Sequence, residues 1–159
     1  MSQVEKILEA LDALQESERS GDVFQPVVGL PQAEWKLEIE EWNRLGVLIR
    51  RLELTDRREI PWDLPRQIGI LKSKLTYLDG DFRLVEQDLP KEAAILRNTA
   101  SQKAEGSVTY FEIALRQAGW LSLVCYRVEK SGMPRTVAAA NLSRETFIRL
   151  LSDLESLVI

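Results

Sequence analysis

Histidine is missing from all 159 residues, and cysteine occurs once, at Cys125. Histidine is the side chain whose ordinary pKa falls inside the physiological range. Its absence excludes Ser-His-Asp and Cys-His catalysis. Zinc sites are built mainly from Cys and His, and a lone thiol makes neither a Cys cluster nor an intrachain disulfide. Other absences narrow the chemistry further. There is no Gly-rich phosphate loop with its Lys, no G-x-G-x-x-G, no H-E-x-x-H and no G-x-S-x-G elbow. Lys130-Ser131-Gly132 has no S-x-x-K nucleophile to go with it and reads as a turn. No cofactor and no metal site is expected from these residues.

Long apolar runs are also missing. The longest near the middle, Leu45-Gly46-Val47-Leu48-Ile49, is far short of the roughly 20 residues that span a bilayer. The start, Met1-Ser2-Gln3-Val4-Glu5-Lys6, lacks a basic stretch followed by an apolar one. It predicts no secretory leader, hence a cytoplasmic protein with no membrane partner.

What is present is the composition of a folded protein: 45% hydrophobic and 29% charged residues. The length predicts a single domain over 1–159, with a possible subdivision into a helical part (1–80) and a part holding a sheet and a terminal helix (81–159). The net charge of −4 is unevenly spread: −7 over residues 1–43, +4 over 44–74 and −1 over 75–159. An acidic first third beside a basic middle predicts attraction between parts of the fold or between subunits, unless both are simply solvated faces.

Ser2 with Glu5 forms a capping box, and Val4, Ile7, Leu8, Leu11 and Leu14 follow at helical spacing, which predicts a helix over 3–18. Residues 21–31 carry Pro26 and Pro31 and read as a connector. In 32–54 two periods compete. Trp35, Ile39, Trp42, Leu45, Ile49 and Leu52 form a helical stripe, while Trp35, Leu37 and Ile39 alternate with Lys36, Glu38 and Glu40 as in a strand. The longer pattern favours a helix, which Gly46 interrupts. After a polar connector at 55–65, Ile68, Leu71, Leu75 and Leu78 predict a helix over 65–78 that ends at Asp79-Gly80, unless that dipeptide turns a hairpin.

From residue 81 strands dominate: 81–86, 93–96, 109–116, 120–128 and 135–140, with a polar loop over 98–107. Ser143 then caps a final amphipathic helix. The whole predicts an α+β fold: amino-terminal helices, a mostly antiparallel sheet of about five strands, and a carboxy-terminal helix packed on it.

Three function classes remain. The first is a non-catalytic protein-binding or assembly module, self-associating or bound to another protein. Its candidate contact residues are Trp35, Trp42, Arg50, Arg51, Arg57 and Arg58. Trp and Arg are enriched at interface hot spots, and residues 35 and 42 would share one face of a helix. The second is anion or nucleic-acid binding through the basic segment 44–74, against which stands an overall pI near 5.1. The third is a carboxylate-based enzyme or metal binder around Asp79, Asp81, Glu86 and Asp88. Cys125, alternating with apolar neighbours, reads as an inert buried thiol.

Overall fold

The computed structural model describes residues 2–88, 90–98, 103–104 and 106–158. The first helix, α1 (Gln3–Asp12), starts on the predicted capping box and buries Val4, Ile7 and Leu11. It stops six residues before the predicted end. Asp12 and Glu16 place negative charge where the helix dipole is already negative, and no base occupies the last turn to offset it. A single 3-10 turn follows at Glu16–Glu18.

The expected helix over 32–54 is instead a hairpin of two strands, β2 (Ala33–Trp42) and β3 (Gly46–Asp56), with a short β1 (Val27–Gly29) added alongside β2. The physical reason lies in two bulges. The register puts Glu38 opposite Arg51 but Ile39 opposite Ile49, so Arg50 is the extra residue in β3. It then puts Glu41 opposite Leu48, so Glu40 is the extra residue in β2. A bulge inserts one residue and flips the alternation that follows it. The buried set therefore runs Trp35, Leu37, Ile39 in β2, with the half-buried Trp42 next on the same side, and Val47, Ile49 and then Leu52, Leu54 in β3. Those steps of three, from 39 to 42 and from 49 to 52, produced the helical stripe. The two bulged residues bond each other, Arg50 Nε donating to Glu40 Oε2 at 2.7 Å.

Next comes α2 (Leu64–Lys74), capped by Asp63. Leu75 and Leu78 stay buried beyond its end rather than within it. Asp79 and Gly80 both have positive φ, and they turn the chain into β4 (Phe82–Asp88). The strands β5 (Ala93–Asn98), β6 (Lys103–Ala104), β7 (Ser107–Arg116) and β8 (Trp120–Glu129) follow. Of the loop expected at 98–107, residues 99–102 and 105 lie outside the described residues, and Asn98, Lys103–Ala104 and Ser107 belong to strands. The strand expected at 135–140 is two short ones, β9 (Thr136–Val137) and β10 (Ala140–Ser143). Ser143 caps α3 (Arg144–Glu155).

Among the described residues all pairings between strands are antiparallel. The main order is β1-β2-β3-β8-β7-β5-β4, with β10 on β3, β6 on β7 and β9 on β8, so among the described residues ten strands rather than about five form one sheet. The undercount came from the bulged hairpin and from strands of two to four residues, too short to show a period. The helices are also interleaved, in the order α1, three strands, α2, seven strands and α3 among the described residues. The fold is α+β, and β3 pairs with β8 across residue 80.

The three helices contribute to one contiguous core with a single face of the sheet, through residues such as Ile7, Leu71, Phe147 and Leu154 against Trp35, Leu52, Ile113 and Leu123. Burying each such side chain contributes about 1.5–3 kcal/mol. At one corner the carboxylate of Asp56 accepts bonds from Arg58 (Nη2 at 2.7 Å), Trp62 (Nε1 at 2.8 Å) and the Arg58 backbone N–H (2.9 Å). Gly119, at φ 98°, lies so close that a Cβ there would sit 3.1 Å from the Asp56 Cβ.

Gly46 is where β10 closes on β3. A Cβ at this position would overlap the Leu142 carbonyl oxygen, a backbone atom that moves only with its strand. Gly46→Ala is therefore expected to cost about 1–3 kcal/mol in chemical denaturation. Unchanged stability would contradict the β10–β3 register.

Candidate functional site

The six residues singled out from the sequence do not gather on one surface. Trp35 is fully buried, and its Nε1 donates to Gln3 Oε1 at 2.8 Å, tying β2 to α1. Trp42, seven residues on, would point to the opposite face in a regular strand. The bulge at Glu40 returns it to the helical side, where it stays half exposed. The arginines meet acids of the amino-terminal third. Arg50 reaches Glu40 at 2.7 Å and Glu38 at 3.7 Å, Arg51 reaches Glu38 at 3.6 Å, and Arg57 reaches Glu34 at 2.7 Å. Arg58 belongs to the Asp56 corner. Cross-strand attraction within the fold thus absorbs much of the charge asymmetry between 1–43 and 44–74, although partly exposed pairs of this kind contribute only about 0–1 kcal/mol each.

Trp42 lies in a cleft of about 520 Å³ between the end of α1, the hairpin and the start of α3. Leu11, Leu14, Phe24 and Trp42 supply its apolar surface, and Arg19, Arg44 and Arg144 line it with Asp12, Glu16 and Glu41. The indole is fixed from three sides. Its Nε1 donates to Asp12 Oδ1 at 2.8 Å, its ring meets Phe147 edge-on at 5.8 Å, and the Arg144 guanidinium lies 4.5 Å from the ring centroid. Beside it the β2–β3 turn is stapled by Asn43, whose Oδ1 accepts from the N–H groups of Leu45 (2.8 Å) and Gly46 (3.3 Å). This turn holds Leu45 84% exposed.

Among the described residues no helix covers the opposite face of the sheet. One cross-strand row runs Glu38–Arg51–Val124–Glu112–Arg97–Arg83. Glu112, at 7% exposure, accepts from Arg97 Nε and Arg135 Nη1, both at 2.7 Å. Arg135 also donates to the Tyr110 hydroxyl and lies 3.8 Å from the centroid of the Tyr126 ring. Arg116 lies over Trp120 at 4.7 Å. Sequence reasoning missed this cluster. The alternation of Tyr110, Glu112, Ala114 and Arg116 marked one face of a strand, but only the register brings Arg97, Arg135 and Arg83 to it.

Among the described residues no three Cys, Asp or Glu side chains gather as metal ligands. Asp79 and Asp81 flank the turn before β4, while Glu86 and Asp88 lie along that strand. No described helix is long and apolar enough to cross a membrane. Cys125 is buried, and burial pushes its thiol pKa up to about 11, which makes the thiolate scarce at neutral pH. Comparison with family models, with curated proteins and with solved structures finds no match for this chain.

Burial pushes the Glu112 carboxyl upward, but the bonds from Arg135 and Arg97 outweigh it and hold the group below its ordinary range. A carboxyl with a depressed native pKa stabilises the fold fully above its unfolded pKa of about 4.3, and that contribution disappears as pH falls through the native value. The stability difference between wild type and Glu112→Gln is therefore expected to be full at pH 7 and to shrink below about pH 4. Thermal melts at stepped pH check this, and a difference that persists undiminished at pH 3 would refute it.

Proposed function

We propose that the chain is a single-domain, non-catalytic assembly module that binds protein, with a second copy of itself as its partner. The reading rests on the rigid hairpin tip: Leu45, 84% exposed, is held by the Asn43 staple beside the cleft of Trp42. A large apolar side chain kept in water by a preorganised turn, next to an aromatic surface edged with arginine, has the composition of an interface centre. Preorganisation also lowers the ordering cost of association.

The two other readings have less support. Arg50, Arg51, Arg57 and Arg58, half of the eight bases in segment 44–74, each face an acid, which reduces the positive charge left to meet a phosphate backbone. The acids Asp79, Asp81, Glu86 and Asp88 are spread over a turn and a strand, not gathered as a catalytic pair or a cation site.

Light scattering over a concentration series tests the proposal. The wild-type chain is expected to exceed its 18.2 kDa monomer mass as concentration rises. Leu45→Asp is expected to weaken association by about tenfold, since burying a carboxylate at an apolar contact carries a heavy desolvation cost. A wild-type monomer at high micromolar concentration would remove the proposal.

A further inference from the structure

At its β4–β5 end the helix-free face of the sheet carries Arg83, Arg97, Arg116 and Arg135 beside Glu86, Asp88 and Glu112, and among the described residues ion pairs engage only two of these arginines. Arg83 lies directly opposite Arg97 in the β4–β5 ladder, and like charges in that position repel. Arg97 and Arg135 share the single carboxylate of Glu112. Among the described residues neither Arg83 nor Arg116 has an acid within ion-pair distance, and Arg116 rests on Trp120 alone. These guanidiniums flank a strip with little polarity. Val124 is only 6% exposed yet stands apart from the main core, and Ile95 and Ala114 lie on its face in the neighbouring row. Several of the arginines are backed by aromatic rings, which fixes their planes and leaves N–H edges for carboxylates.

A matching surface exists on the same chain but on the other side of the molecule. Residues 5–22 hold six acids and two bases. Glu5, Glu9, Asp12, Glu16 and Glu18 are all exposed there. Helix α1 packs beside β1 and β2 on the helical side, whereas Arg83 and Arg97 stand at the β4–β5 end on the opposite face. The two surfaces therefore cannot meet within one copy.

We propose that copies of this chain associate head to tail, the acidic ridge of residues 5–22 in one copy docking on the arginine-bearing open face of the sheet in the next. This rests on the self-assembly reading above and specifies its geometry. Two different surfaces in contact make a heterologous interface, which leaves an unused surface at each end of the pair and continues as an open chain or a ring. The short ladder strand β4 sits at the receiving edge. Its bulge at Val85 disfavours plain edge-to-edge pairing and leaves side-chain charge to select the partner. A nucleic acid is disfavoured on the same face because the chain as a whole carries −4.

Two charge-reversed proteins test this. Arg83→Glu with Arg116→Glu alters the receiving face, and Glu9→Lys with Glu18→Lys alters the ridge. All four positions are exposed, and none makes an ion pair among the described residues. Unchanged melting temperatures would show that both variants fold. Each variant alone is expected to associate at least about tenfold more weakly than wild type. Mixed in equal amounts they are expected to recover association, because the unaltered ridge of one meets the unaltered face of the other and the two reversed surfaces also carry opposite charge. Independently of any variant, wild-type association is expected to weaken from about 20 mM to about 500 mM salt, as the screening length falls from roughly 20 Å to roughly 4 Å. If the variants associate as wild type does, or if salt has no effect, this geometry is wrong while self-assembly stands. A wild-type monomer throughout overturns both.

Discussion

Strand β3 has to serve three partners, and the rest of the fold depends on how it does so. It pairs with β2 along one side and, in succession, with β8 and β10 along the other. A regular strand of eleven residues would keep one parity, which here would expose either Val47 and Ile49 or Leu52 and Leu54. The bulge at Arg50 lets both sets face the helices. The matching bulge at Glu40 keeps β2 in step, and their mutual ion pair joins the two irregular points. Burial of four large apolar side chains in β3 far exceeds what one disrupted rung of the ladder costs.

The consequence reaches the candidate site. Because parity flips at Glu40, Trp42 comes to the helical side and meets Asp12, Phe147 and Arg144. The same hairpin ends in the Asn43 staple that presents Leu45. Arg144, whose backbone N–H donates to the Leu45 carbonyl, ties this tip to the start of α3. The exposed apolar residue is thus carried by packed structure rather than by a wandering loop, which suits an interface.

Charge is handled differently on the two ends of the sheet. At the β2–β3 end acids and arginines alternate across the ladder and largely neutralise one another. At the β4–β5 end Arg83 faces Arg97, and one buried carboxylate serves two guanidiniums. Like charges in that position weaken the fold slightly. The corner at Asp56 is the contrasting case. It is buried, fully bonded by Arg58 and Trp62, and works as a joint between β3, the connector to α2 and the β7–β8 turn.

Local chemistry was legible wherever a signal is short-ranged. The capping box at Ser2, the cap at Ser143, the alternation in β7 and β8 and the turn at Asp79-Gly80 all depend on residues within a few positions of each other. The missing imidazole and solitary thiol likewise bounded the chemistry by composition alone. The β2–β3 hairpin was not legible, because bulges at Glu40 and Arg50 turn a period of two into steps that mimic 3.6, and a bulge is defined only against the strand it faces. The cluster of Arg83, Arg97, Glu112 and Arg135 was hidden for the same reason. Residues 14, 15 and 23 positions apart in the chain become neighbours once the strands are in register, and register is fixed by which face the whole sheet can bury.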